Sequence, residues 1–270
     1  MEEKTKIIII AGPTASSKSE IALNLALKFN GEIVNADSIQ VYKYFDIGSA
    51  KPSLEMRRLV PHHLIDILNP DEEFNAFLFK EMARKAVTEI AAKKRLPIIV
   101  GGTGLYIRCF LYDLFTQDEE EIKKQRRILE DLCEKHGLTY LYNELKKIDP
   151  KSAEKIHPND KIRIIRALEF YYATKQTLSS VHDEFNFNNS PYDFKIFVPN
   201  FPKDEIVKRI ENRTIEIFNN GIVEEVKAIL KKGYSKDIKP LKSIGYKEAA
   251  MVLTNKIQLE DAIKLTIKNT

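Results

Sequence analysis

KIIIIAGPTASSKSEIALNLALKF, residues 6–29, joins three kinds of chain in succession. Residues 6–11 are a β-branched run of the kind that fills a strand covered on both faces. Residues 18–29 place apolar side chains at helical spacing. Between them Gly12, Pro13, Thr14, Ala15, Ser16, Ser17, Lys18 and Ser19 nearly fit the phosphate-loop pattern, in the strand–loop–helix setting that makes such a motif credible. Loop amides and the helix N-terminus offer partial positive charge to phosphate oxygens, and Lys18 adds a full charge. The Ser19 hydroxyl is placed to ligate a Mg²⁺ ion bridging the phosphates. Ser17 stands where glycine normally precedes the lysine, so its side chain is expected to strain the turn or hinder close approach of phosphate.

Outward from this stretch, residues 31–36 and 96–100 read as further strands, and residues 192–198 as another. Strands alternating with helices imply a mostly parallel sheet. Residues 116–176 change to charged helical segments, and from residue 204 onward the chain reads as helical. The fold class expected is α/β, a P-loop NTPase-like parallel sheet core with helices on both faces and an all-helical insertion. The core is assigned to residues 1–115 and 186–270, the insertion to 116–185, with a polar loop, NFNNSP, at residues 186–191.

The 270 residues carry a net charge of +4, which permits an anionic partner without demanding one. The basic excess lies in the second half, where residues 151–270 hold 21 Lys and Arg against 16 Asp and Glu. Two cysteines, Cys109 and Cys133, without metal-ligand spacing, and no apolar leader or bilayer-spanning run point to a cytoplasmic protein with no membrane association. The His62-His63 pair has no partner ligand at fitting spacing and reads as packing and hydrogen bonding.

What the loop holds is a separate question, because nucleoside triphosphatases need an acidic residue at a strand end to organise metal and water. The strand at 96–100 ends in Gly-Gly-Thr instead. Asp37, at the tip of the second strand, is placed to act as a base on a substrate; the bland alternative is a cap for the segment after it.

Several separated motifs accompany these: DSIQVYKYFDIGSAKP (37–52), PHHLIDI (61–67), VGGTGLY (100–106), HPNDKIRIIRALE (157–169), RIENR (209–213) and IGYKEA (244–249). Together with the loop they resemble the tRNA dimethylallyltransferase family over essentially the whole chain. The resemblance implies transfer of a dimethylallyl group from dimethylallyl diphosphate to the exocyclic N6 amine of the adenosine 3′-adjacent to the anticodon, in tRNAs reading codons that begin with U. It implies that residues 12–19 hold the diphosphate with Mg²⁺ assisting, and that Asp37 accepts a proton from the amine while Thr103 hydrogen-bonds it. It favours Arg209 as a clamp on the diphosphate and keeps Arg213 as a secondary candidate.

The resemblance further implies contacts with the tRNA anticodon stem-loop from Asp37, Ser38, Ile39, Gln40 and Thr103. Others fall on Lys123, on Ile162, Arg163, Ile164, Ile165 and Arg166, and on Lys242, Ser243, Ile244, Gly245, Tyr246 and Lys247. Lys123 stands where relatives carry an arginine, and Arg166 has salt bridging with Glu169 as its alternative. A monomer is expected. Relatives continue into a basic tail beyond residue 270. Two alternatives accompany this reading: a small-molecule P-loop kinase, and a tRNA-binding homologue impaired by Ser17 and the missing tail.

Overall fold

The computed structural model describes residues 4–112, 119–183 and 190–270. The chain folds as two compact units, residues 1–114 with 190–270, and residues 115–189. The joints expected at 115/116 and 185/186, and most of the 186–191 loop, lie outside the described residues.

The first unit is built on a parallel sheet of β1 (Thr5–Ala11), β2 (Gly31–Asn35), β3 (His62–His63), β4 (Leu96–Gly101) and β5 (Tyr192–Phe197), in the order β3-β2-β4-β1-β5. Alternation along each strand sends apolar side chains to opposite faces. Ile10, Ile33, Ile98 and Val100 pack with Ala22 and Ala26 of helix α1 (Lys18–Phe29). Ile7, Ile9, Val34 and Ile99 share the other cluster with α3 (Ala76–Ala92), which follows the short α2 (Leu54–Leu59). Helices therefore cover both faces, and each fully buried Ile, Val or Phe contributes about 1.5–3 kcal/mol.

After β4 comes α4 (Gly104–Tyr112), whose Phe110 ring stacks on Tyr192 at 4.7 Å. Because Tyr192 lies level with Thr5 at the start of β1, α4 runs back from the carboxyl edge of the sheet. β5 closes one side of the sheet, with Asp193 and Lys195 exposed on one face.

In the second unit α5 (Glu119–His136), α6 (Leu138–Ile148), α7 (Pro150–Lys155), α8 (Lys161–Thr174) and α9 (Leu178–Asp183) follow one another. Leu129, Leu141, Leu145, Ile164 and Leu168 form its own buried core. The first unit ends in α10 (Lys203–Asn219), α11 (Ile222–Lys231), a 3₁₀ turn at Lys239–Lys242, α12 (Tyr246–Leu253) and α13 (Leu259–Asn269).

The two-residue β3 is absent from the sequence reading. His63 Nε2 lies 2.6 Å from the buried carboxylate of Glu32, which also accepts from Arg95 at 2.8 Å, and His62 Nδ1 lies 2.7 Å from the Val60 carbonyl. The histidine pair thus serves the sheet edge through hydrogen bonds.

Candidate active site

β1 delivers the chain into the loop at Gly12, and Ser16, only 1% exposed, fixes its shape by donating its hydroxyl to the Pro13 carbonyl at 2.8 Å. Lys18 folds its ammonium over the turn, onto the Pro13 carbonyl and, at 3.2 Å, Ser16 Oγ. Burial, and next the positive charge of Arg213, lower the Lys18 pKa to about 8; Asp37 works in the opposite direction. A cation held this way is electrostatically unsatisfied until an anion joins it.

Ser17 takes φ +54, the left-handed region that favours glycine, and makes no side-chain cap on α1. Its hydroxyl accepts a hydrogen bond from Arg209 at 3.1 Å.

The neighbouring strand ends complete the edge. β4 lies between β2 and β1. Gly101 passes so close to β2 that a Cβ there would come within 2.1 Å of the Ala36 carbonyl oxygen, and one on Gly102 would be 3.2 Å from that of Gly12. Side chains at those positions would push the three strand ends apart. Asp37 follows Ala36, and its Oδ1 accepts from the backbone amides of Ile39 at 2.8 Å and Gln40 at 3.1 Å. The cap role and a free carboxylate oxygen coexist, since among the described residues no donor reaches Oδ2. Thr103 caps α4 through its carbonyl, which accepts from the amides of Tyr106 and Ile107.

The segment from Asp37 to Pro52 is braced from several sides. Glu225 of α11 accepts from the amides of Asp46, Ile47 and Gly48 at 2.9, 2.7 and 3.2 Å, and from the Tyr246 hydroxyl at 2.6 Å. Gly48 has no room for a side chain, since a Cβ would come within 2.5 Å of the Tyr246 ring. Lys51, nearly inaccessible, bonds to the Tyr42 carbonyl, Asp46 and Asp66. Nothing in the sequence marks Glu225 for this role, whereas Asp46, Gly48 and Lys51 lie inside the quoted 37–52 motif.

The two arginines of 209–213 separate in space. Arg209 spends its guanidinium on Glu205, at 3.0 and 2.8 Å, on Ser17, and on the Phe201 ring 4.1 Å away. Arg213 is half-buried, donates to the Ser49 carbonyl at 3.4 Å, and feels the charges of both Asp37 and Lys18. Its pKa is lowered by burial, with Asp37 opposing. Arg213 is therefore the arginine facing the loop lysine and the carboxylate, and Arg209 stands at the loop's margin with its charge already paired.

Several expected RNA contacts have no side-chain surface to offer. Gln40 is buried, its amide donating to the Ser49 and Ala50 carbonyls. Tyr246 is 1% exposed and engaged by Glu225, and Gly245 is buried beside it. Ile164 and Ile165 belong to the core of the helical unit. Amphipathic spacing explains this: within a contiguous helical motif half the positions must turn inward.

Ile162 is 82% exposed, and Arg163 projects outward with a 3.4 Å contact to Asp160. Arg166 pairs at 2.7 Å with the fully buried carboxylate of Glu169, which Arg126 also holds bidentately at 2.6 and 2.7 Å. Lys123, Lys242, Ile244 and Lys247 are exposed, Ser38, Ile39 and Ser243 half-exposed.

A family model described as IPP transferase matches residues 40–270. "tRNA dimethylallyltransferase 2" of Geotalea uraniireducens is 42% identical over 269 residues, spanning 100% of this chain and 86% of the relative. "tRNA dimethylallyltransferase" of Thermoanaerobacter sp. strain X514 is 43% identical over 267 residues, spanning 98% and 85%.

Among solved structures, a tRNA delta(2)-isopentenylpyrophosphate transferase from Staphylococcus epidermidis matches with TM-score 0.68 and 36% identity, over 98% of this chain and 86% of that one. A eukaryotic dimethylallyltransferase described as acting on tRNA matches with TM-score 0.82 and 31% identity, over 98% and 67%. With its phosphate loop, Asp37 and the Gly-Gly-Thr turn gathered at one sheet edge, this chain belongs to the IPP transferase family.

Proposed function

We propose that this protein transfers the dimethylallyl group of dimethylallyl diphosphate to N6 of the adenosine 3′-adjacent to the anticodon, in tRNAs that read codons beginning with U. The observation that carries the reading is the adjacency of a cationic phosphate loop and a carboxylate with an uncommitted oxygen at one sheet edge. An aromatic amine is a weak nucleophile because its lone pair is delocalised, so Asp37 Oδ2 takes its proton as the new carbon–nitrogen bond forms. Thr103 orients the amine. The carbon–oxygen bond to diphosphate breaks in the same step, and residues 12–19, Lys18 foremost, meet the charge that develops on the leaving group. Arg213 is the second cation in this reading, in place of Arg209.

Magnesium fits this site only in company. Ser19 presents an exposed hydroxyl in the first turn of α1, and among the described residues no cluster of three His, Cys, Asp or Glu side chains forms a metal cage. The donor set suits an ion that arrives on the phosphates and touches Ser19, where its charge would offset that of the leaving group.

Contacts with the anticodon stem-loop are assigned to Lys123, Ile162, Arg163, Lys242, Ile244 and Lys247, the exposed members of the expected set, and to Asp37, Ser38, Ile39 and Thr103 beside the site. Arg166 supports the helical unit through Glu169. The working form is a cytoplasmic monomer, in keeping with two cysteines that form no disulfide. Among the described residues no helix is long and apolar enough to cross a membrane.

The test is nucleoside analysis of tRNA incubated with the protein, dimethylallyl diphosphate and Mg²⁺. N6-isopentenyladenosine in the anticodon loop is expected. Phosphoryl transfer from labelled ATP without the prenylated nucleoside would replace the reading with a kinase, and RNA retention without product would leave a binding protein.

A further inference from the structure

Arg108 has no assigned role, yet it is the most anomalous cation of the sheet unit. It lies on α4, five residues beyond Thr103, and is half-buried. Among the described residues its Nε is screened from solvent without a hydrogen-bond partner, and no ion pair offsets the charge. Arg57 shares the unsatisfied Nε, but its guanidinium is paired with Asp66 at 2.6 Å. A lone surface cation is hydrated and needs no partner, whereas a screened guanidinium donor left unmatched is costly unless an acceptor comes from outside the chain.

The face of α4 that carries it is the one not spent on packing. Tyr106, Ile107, Cys109, Phe110 and Leu111 are buried and Tyr112 packs edge-on against Phe194, while Leu105 and Arg108 follow the i, i+3 spacing of one stripe, with Leu105 52% exposed. Since α4 runs back from the carboxyl edge, Arg108 stands about 7.5 Å along the helix axis from Thr103, away from the phosphate loop. That distance is on the order of two nucleotide steps of a stacked strand. In the prenyl-transfer reading the donor's diphosphate is met by Lys18 and Arg213, which feel each other's charge, and not by Arg108.

We propose that Arg108 holds a backbone phosphate of the RNA strand whose adenine is seated at Thr103, so that it positions the strand rather than touching the reacting atoms. The inference rests on the prenyl-transfer reading. A planar guanidinium matches two phosphate oxygens at once, which a lysine does not reproduce.

The test compares wild-type protein with Arg108→Gln and Arg108→Lys in filter binding of tRNA across a salt series, alongside steady-state kinetics and thermal unfolding. Arg108→Gln is expected to weaken tRNA binding about five- to tenfold and to lower the slope of log affinity against log salt by about 0.7–0.9. Its KM for tRNA rises in proportion, its KM for dimethylallyl diphosphate stays within twofold, and the unfolding temperature does not fall. Arg108→Lys restores the slope but only part of the affinity.

An unchanged salt slope overturns the proposal, as does a rise confined to the donor KM, or a loss of tRNA affinity that tracks a lowered unfolding temperature. Failure of the prenyl-transfer reading is separately visible, because the wild-type protein would then yield no isopentenyladenosine.

Discussion

Lys18, the cation assigned to the diphosphate in the proposed reaction, starts from a depressed baseline. Its folded-state pKa near 8 lies below the ordinary 10.5, so between pH 8 and 10.5 the unfolded chain holds more protons than the folded one. Stability gained from releasing that proton is therefore absent below pH 8 and grows as pH rises through the window. Diphosphate binding runs against this trend, because an anion drives the lysine back to its charged form. Calorimetry at pH 8.5 in buffers of different ionisation enthalpy is expected to register net proton uptake on diphosphate binding, and Arg213→Gln, which removes a neighbouring positive charge, to shrink that uptake.

Asp37 calls for a substitution that respects its second role. Asp37→Asn keeps an acceptor for the amides of Ile39 and Gln40 while removing the base. Transfer should slow by about a hundredfold or more with donor affinity retained; a rate within threefold of wild type removes Asp37 from the mechanism. The residue scale is also where sequence reading has its sharpest limit. Arg209 and Arg213 lie four apart on one helix and share a face, so spacing gives no means of choosing between them. Only the fold, which spends Arg209 on Glu205 and brings Arg213 toward Asp37 and Lys18, separates the two.

At the scale of elements, what was legible is what has a period. The strands β1, β2, β4 and β5 fall within a residue or two of the apolar runs that announce them, and α1 begins at the loop lysine and ends at Phe29 as its spacing requires. β3 was invisible because two residues carry no period, and its histidines are held by Glu32 and a carbonyl that lie elsewhere in the chain. The brace on the 37–52 segment was likewise hidden, for Glu225 is an ordinary helical carboxylate until folding surrounds it with three amides and a tyrosine hydroxyl. Glu225→Gln swaps one acceptor oxygen for a donor and removes the charge. A loss of about 1–3 kcal/mol is expected by urea unfolding, together with slower prenyl transfer; unchanged stability would show the amides to be satisfied without it.

For the whole molecule, a separate buried core in each unit has a mechanical counterpart. Leu141, with 0% exposure, belongs only to the helical unit's core. Leu141→Ala is expected to cost that unit about 2–5 kcal/mol while donor binding by the sheet unit, followed by calorimetry, persists. Loss of donor binding in step with helical melting would mean that the two cores unfold as one. Among the described residues the sheet stops at β5, whose outer row of amides and carbonyls has no neighbouring strand. Its exposed Asp193 and Lys195 put fixed charges where a stray chain would have to dock, and bare strands without such guards are what seed fibrils. Neutralising Lys195 with valine would hand concentrated preparations a sticky border, so turbidity on storage is the trait this strand keeps in check.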